Sequence, residues 1–225
     1  MAPAFITFEG IDGCGKSTQL RMLASELRLR GREVVLTREP GGTPLGTRVR
    51  QLVLDSEEQV DPLAELLLYA ADRAQHVRTL VRPALDSGHV VLSDRYADAT
   101  VAYQGAGRGF PAELVSELVV LATGGLMPGL TLIFDLPVDE SQRRQARRTS
   151  KGHKADRLDT EDAAFHTRVR DAYLRIAAAE PERVRVIDAN GSVQDTQGAV
   201  MRLVMPFIES KVQMSKNDSP SPLNS

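Results

Sequence analysis

The residues best placed to do chemistry stand near the start of the chain: Gly10-Ile11-Asp12-Gly13-Cys14-Gly15-Lys16-Ser17, followed by Thr18. Glycines at this spacing let backbone N–H groups curl around a polyphosphate that side chains would obstruct. A helix starting here adds unpaired donors and the positive end of its dipole. Lys16 would reach the outer phosphates, and the Ser17 hydroxyl would take one position on Mg2+. The bland alternative is an ordinary glycine-rich turn between a strand and a helix. The motif favours nucleoside triphosphate binding. Cys14 has two readings: a thiol activated by helix-terminal amides, or a small residue that fits the loop.

Further charges extend this chemistry. Asp94 ends the apolar run Val90-Val91-Leu92, where an acid can hold Mg2+ or its waters beside the phosphate loop. Arg95 follows it, and Arg38 closes another apolar run in Thr37-Arg38-Glu39-Pro40-Gly41-Gly42-Thr43. Singly, each reads equally well as a surface arginine. As a pair they fit a clamp on a second phosphate, with the forked geometry that lysine lacks. The segment Gln142-Arg143-Arg144-Gln145-Ala146-Arg147-Arg148, continuing through Lys151 and Lys154 to Asp156-Arg157, is a solvated face, an RNA patch or a lid. Beside a phosphate loop, a lid of arginines would close over ATP and exclude water. A monophosphate acceptor is mostly ionised at pH 7, its second pKa being about 6, and needs no base. The cations therefore favour phosphoryl transfer between phosphates. No N/T-K-x-D string for reading guanine occurs, which counts against a GTPase.

The elements that must position these residues are β-rich runs at 4–8, 33–37, 89–93, 130–135 and 183–187. Near-continuous Val, Ile and Leu mark parallel strands covered on both faces. Helical patterns lie between them at 19–30 (stopped by Gly31), 61–85, 112–121, 141–148 and 163–179. This alternation predicts a doubly wound five-stranded parallel α/β sheet, with ligands at the carboxyl ends of the strands. The length of 225 residues suits one large domain and would also accommodate two small ones. Residues 1–211 are taken as one domain with a lid at about 141–160. Within that lid 149–155 reads as mobile, and 212–225 as a disordered tail. A net charge of −2 counts against broad nucleic-acid binding. One cysteine fits a reducing cytosol, no signal peptide is expected, and no run approaches the ~18–20 apolar residues of a membrane span.

In this order and spacing, five segments resemble bacterial thymidylate kinases over about residues 5–208. They are Phe8-Glu9-Gly10 through Thr18, Thr37 through Thr43, Leu67-Leu68-Tyr69-Ala70-Ala71-Asp72-Arg73-Ala74-Gln75-His76, Asp94-Arg95-Tyr96 and Ala102-Tyr103-Gln104-Gly105. The resemblance implies a P-loop kinase, working in the cytoplasm as a homodimer on ATP and dTMP with Mg2+. It places Asp12 near the acceptor's sugar and Arg38 and Arg95 on its phosphate. Tyr69 stands where a stacking phenylalanine is usual, Arg73 matches the arginine that hydrogen-bonds the base, and Tyr103 crowds the sugar 2′ position. Arg144 and Arg148 match catalytic lid arginines, with Arg147 and Arg157 the weaker matches, and Glu39-Pro40 matches a peptide bond that is often cis. The sequence departs from the family at Ala99, where a serine is common, and at Thr100, where a serine or asparagine is frequent; Thr100 and Gln104 are left as the candidates for bonding thymine. His76 is read as structural.

Overall fold

The computed structural model describes residues 4–55, 59–150, 152 and 156–217. Five strands, β1 (Ala4–Glu9), β2 (Val34–Arg38), β3 (Val90–Asp94), β4 (Leu130–Asp135) and β5 (Val184–Asp188), form one parallel sheet in the order β2-β3-β1-β4-β5. All five agree with the runs expected from sequence to within one residue at either end. The order reverses at β1, whose neighbours are β3 on one side and β4 on the other. A crevice at the carboxyl ends of the strands is the consequence of such a reversal. Register carries the argument further: Phe8 and Arg38 both lie level with Asp94. The phosphate loop, the magnesium candidate and one clamp arginine thus emerge side by side.

Helices cover both faces. Ile6 and Phe8 of β1 pack with Leu20, Leu23 and Leu27 of α1 (Lys16–Leu29) and with Val200, Val204 and Ile208 of α9 (Val193–Asn217). Phe5, one residue out of phase and so on the opposite face, packs with Val77, Val91 and Val115. Helix α1 ends where Gly31 takes a left-handed φ of 73°, the stop expected from sequence.

Three features went beyond the sequence reading. Helix α2 (Pro44–Leu54) follows Thr43, whose side chain accepts from the Gly46 N–H, with Pro44 in the first turn. Residues 61–85 form α3 (Pro62–His76), a π-helical turn (Val77–Val81) and α4 (Arg82–Asp86) in direct succession. A second π-helical stretch, Val101–Gly107, follows α5 (Ala97–Thr100). Helices α6 (Ala112–Thr123), α7 (Val138–Thr149) and α8 (Ala163–Ala179) lie where expected, with α7 and α6 slightly longer. Helix α9 runs to Asn217, into the stretch expected to be a tail, whose residues 218–225 lie outside the described residues, as do 151 and 153–155 of the expected mobile lid segment. Among the described residues no helix is long and apolar enough to cross a membrane.

Candidate active site

The loop between β1 and α1 is shaped by three glycines with positive φ: Gly10 (132°), Gly13 (80°) and Gly15 (91°). At Gly10 a Cβ would also lie 2.6 Å from the Phe134 carbonyl oxygen, so no other residue fits. Gly15 is the left-handed residue from which α1 starts, leaving Lys16 and Ser17 in its first turn. Lys16 Nζ donates to Asp12 Oδ1 at 3.2 Å, and the Ser17 hydroxyl donates to Asp94 Oδ2. Cys14 is buried in the core and burial pushes its thiol up, so the small-residue reading holds for it.

Asp12 and Arg95 are the hub of the site. Arg95 is the one non-glycine residue with a left-handed backbone among those described, at φ 70°. Its neighbours over-determine that conformation. The Arg95 N–H donates to Phe8 O, Ser93 Oγ donates to Arg95 O, and the Tyr96 N–H donates to Glu9 Oε1. The guanidinium is thereby aimed at Asp12, with Nη2 at 2.9 and 2.8 Å from the two carboxylate oxygens. It also donates to the Tyr103 hydroxyl at 2.9 Å and lies 4.6 Å from the centre of that ring. Burial alone would raise the Asp12 carboxyl, yet the Arg95 and Lys16 charges prevail and hold it well below the usual carboxylate range. Glu9, fully buried, goes the other way: burial and the Asp98 charge push it up to about 8.

Two cavities meet at this hub. One is lined by Tyr69, Arg73, Ala99, Thr100, Tyr103 and Gln104, among others. The second is lined by Lys16, Ser17, Arg38, Asp94 and Arg148, among others. Asp12, Glu39, Arg50, Arg95 and Asp156 belong to both. In the first cavity Arg73 is buried and spreads its fork over three acceptors: Glu39 Oε2 (2.7 Å), Thr100 Oγ1 (2.8 Å) and Tyr96 O (2.9 Å). His76 supports Glu39 from behind, its Nδ1 2.7 Å from Glu39 Oε1 and its Nε2 2.6 Å from Thr37 Oγ1, which is the structural part expected of it. The Glu39-Pro40 peptide is cis. Gln104 Nε2 donates to Glu65 Oε1 at 2.8 Å.

The second cavity gathers the loose cations. The Arg38 and Arg148 side chains line it and make no hydrogen bond or ion pair among the described residues. Arg144 does not line either cavity. It lies against the loop near Gly13 but donates to Glu140 Oε1 (2.9 Å) and the Ala189 carbonyl (3.1 Å). Helix α7 is tied to the loop by Ser141 Oγ, which donates to the Asp12 carbonyl at 2.6 Å. Arg157 turns away to Glu65 and the Val53 carbonyl.

Sequence reasoning missed Arg50, and it gave Asp156 and Asp159, in the closing segment after the lid, no part in either cavity. Arg50 Nη1 reaches the Pro40 carbonyl at 3.4 Å and faces both cavities. It sits on α2, so the signal was the overlooked Thr43-Pro44 helix start. Asp159 lines the second cavity, and burial with the nearby Asp12 and Asp156 charges pushes it up to about 6.

The Ser17 hydroxyl and Asp94 carboxylate form an adjacent pair of hard oxygen ligands, the type Mg2+ takes. Among the described residues no cluster of three or more His, Cys, Asp or Glu side chains is placed to cage a metal. One or two protein oxygens completed by phosphate and water is the usual Mg2+ arrangement, so the residues fit that ion.

The family model described as thymidylate kinase matches residues 8–200. A thymidylate kinase of Geobacter sp. (strain M21) is 51% identical over 195 residues, covering 85% of this chain and 87% of its own. That of Deinococcus radiodurans is 50% identical over 200 residues, covering 89% and 95% respectively. The crystal structure of thymidylate kinase from Ehrlichia chaffeensis superposes with a TM-score of 0.74 at 33% identity, over 91% of this chain and all of that one. With a family model spanning most of its length and relatives identical at about half their positions, the chain belongs to the thymidylate kinase family.

Proposed function

We propose that this chain transfers the γ-phosphoryl group of ATP to dTMP, giving ADP and dTDP for dTTP synthesis. The observation that carries the reading is the meeting of two cavities at Asp12 and Arg95, one floored by the phosphate loop and the other walled by Tyr69, Arg73 and Thr100. ATP occupies the phosphate-loop cavity through the loop amides of residues 10–18, Lys16 and Ser17. The acceptor occupies the cavity walled by Tyr69 and Arg73, its base against the Tyr69 face and hydrogen-bonded by Arg73, Thr100 and Gln104. Its sugar lies by Asp12 and Tyr103, and its phosphate is gripped by Arg38 and Arg95. Arg50 is a further cation facing that phosphate.

The acceptor oxygen is already ionised, so no base is required. Asp12, held far below the usual carboxylate range, is a poor base and serves instead to aim Arg95. Catalysis is then positioning plus fixed positive charge along the line of transfer. Lys16, Arg38 and Arg95 supply that charge, a role their position in the cavity lining supports; Arg148 reaches in from α7, and Arg144 joins when it leaves Glu140. Ser17 and Asp94 would hold Mg2+, which would supply neutralisation of the triphosphate. Residues 1–211 act as one kinase domain with α7 and the segment to about residue 160 as its lid.

The enzyme works in the cytoplasm, where a lone buried cysteine stays reduced, and as a homodimer. Leu63 and Leu67 on α3 and Leu114 and Leu121 on α6, helices that pack together, leave large apolar side chains exposed and supply the interface. A coupled assay of ADP release over dTMP, UMP, CMP, AMP and GMP tests the reading. dTMP should far outpace the others; equal rates would overturn it in favour of a broader monophosphate kinase.

A further inference from the structure

The geometry points to Glu65, outside both cavities, as the positioning residue that selects thymine over cytosine by fixing which end of the Gln104 amide faces the base. This rests on the dTMP reading above and names what decides that preference. Glu65 is fully buried and ringed by donors. Oε1 accepts from Gln104 Nε2 at 2.8 Å and from Arg108 Nε at 3.4 Å, while Oε2 accepts from Arg108 Nη2 at 3.2 Å and from Arg157. Two guanidinium groups on one carboxylate keep it ionised: burial opposes the charge, but the Gln104, Arg157 and Arg108 hydrogen bonds prevail and lower its pKa.

An ionised carboxylate only accepts. The atom that Gln104 presents to Glu65 is therefore its NH2 group, which settles an orientation that the shape of the amide leaves open. Oε1 remains, with no hydrogen bond among the described residues, on a side chain that lines the base cavity. A free acceptor there matches the N3–H of thymine or uracil. It repels N3 of cytosine, itself an acceptor, and a mispaired buried group of this kind costs about tenfold or more in discrimination.

Glu65→Gln reverses the polarity. Its single oxygen is claimed by Arg108 and Arg157, so its NH2 group faces Gln104, whose amide must turn over and present NH2 to the base. The measurement is kcat/KM for dTMP, dUMP and dCMP in the purified full chain. Glu65→Gln should lower the dTMP-to-dCMP ratio by about tenfold or more, with dUMP following dTMP because both carry the N3–H. Arg108→Gln weakens the same cluster without touching the amide and should leave the ratio unchanged. If Glu65→Gln does not fold, Gln104→Leu, which removes the acceptor, should still reduce the ratio by about tenfold. An unchanged ratio in Glu65→Gln, or in Gln104→Leu, overturns the inference while the dTMP preference of the wild type stands. A wild type that does not prefer dTMP over dCMP overturns the functional reading itself.

Discussion

Arg73 offers the sharpest separation of acceptor binding from triphosphate binding. Three of its N–H groups are committed to Glu39, Thr100 and the Tyr96 carbonyl, leaving two of five for a ligand. In Arg73→Lys the ammonium can keep Glu39, but a point charge cannot span the three acceptors. Two hydrogen bonds to a charged donor are lost, each contributing about 1.5–3 kcal/mol, so stability falls by about 3 kcal/mol or more. That is a sizeable share of the roughly 5–15 kcal/mol that holds a domain folded. Arg73→Ala goes further, because Glu39 is left buried with His76 alone, and breaking such a pair costs about 3–5 kcal/mol. In initial-rate assays at saturating co-substrate, the KM for dTMP should rise at least about tenfold in Arg73→Lys, from one lost ligand bond. The KM for ATP should move by no more than about twofold, because Arg73 does not line the triphosphate cavity. A larger change for ATP than for dTMP would refute the assignment of the two cavities.

Other perturbations reach the remaining parts. Lys16→Ala should cut kcat by about a hundredfold or more while circular dichroism stays native, since Asp12 keeps Arg95 as its partner; near-normal turnover would remove the loop from the mechanism. Tyr103→Ala should admit UMP relative to dUMP by about tenfold, judged by the ratio of kcat/KM; unchanged discrimination would end the gate role. Glu9 keeps its proton in the folded chain up to about 8 but releases it near 4.5 when unfolded. Stability therefore falls across that window as pH rises, by at most about 1.4 kcal/mol per pH unit for one proton. Glu9→Gln should remove this slope, so the wild-type-minus-variant difference in Tm should decline from about pH 4.5 to 8; a flat difference contradicts the buried, protonated Glu9.

The sheet was legible because its central strands β1, β3 and β4 are buried on both faces and read as apolar runs, the edge strands β2 and β5 keep Val, Leu and Ile, and the loop glycines are demanded by backbone φ. What sequence could not supply was long-range placement. Nothing local says that Gln104 is anchored by Glu65, or that Arg144 folds onto Glu140 while Arg148 faces the cavity. Helix α2 was written in Thr43-Pro44 and overlooked, and Arg50 was lost with it. Helix α9 was masked by Pro206 in its interior, a residue that argues against helix wherever packing does not override it. Thr100 and Ala99 were flagged together as departures; of the two side chains only that of Thr100 makes a polar contact, to Arg73.

The most direct test of the central claim is a crystal structure with dTMP and a non-hydrolysable ATP analogue bound together. The account predicts the acceptor phosphate between Arg38 and Arg95, facing the terminal phosphate of the analogue across the Asp12 hub, with Lys16 on the latter. A monophosphate found elsewhere, or turned with its base toward the phosphate loop, would contradict it.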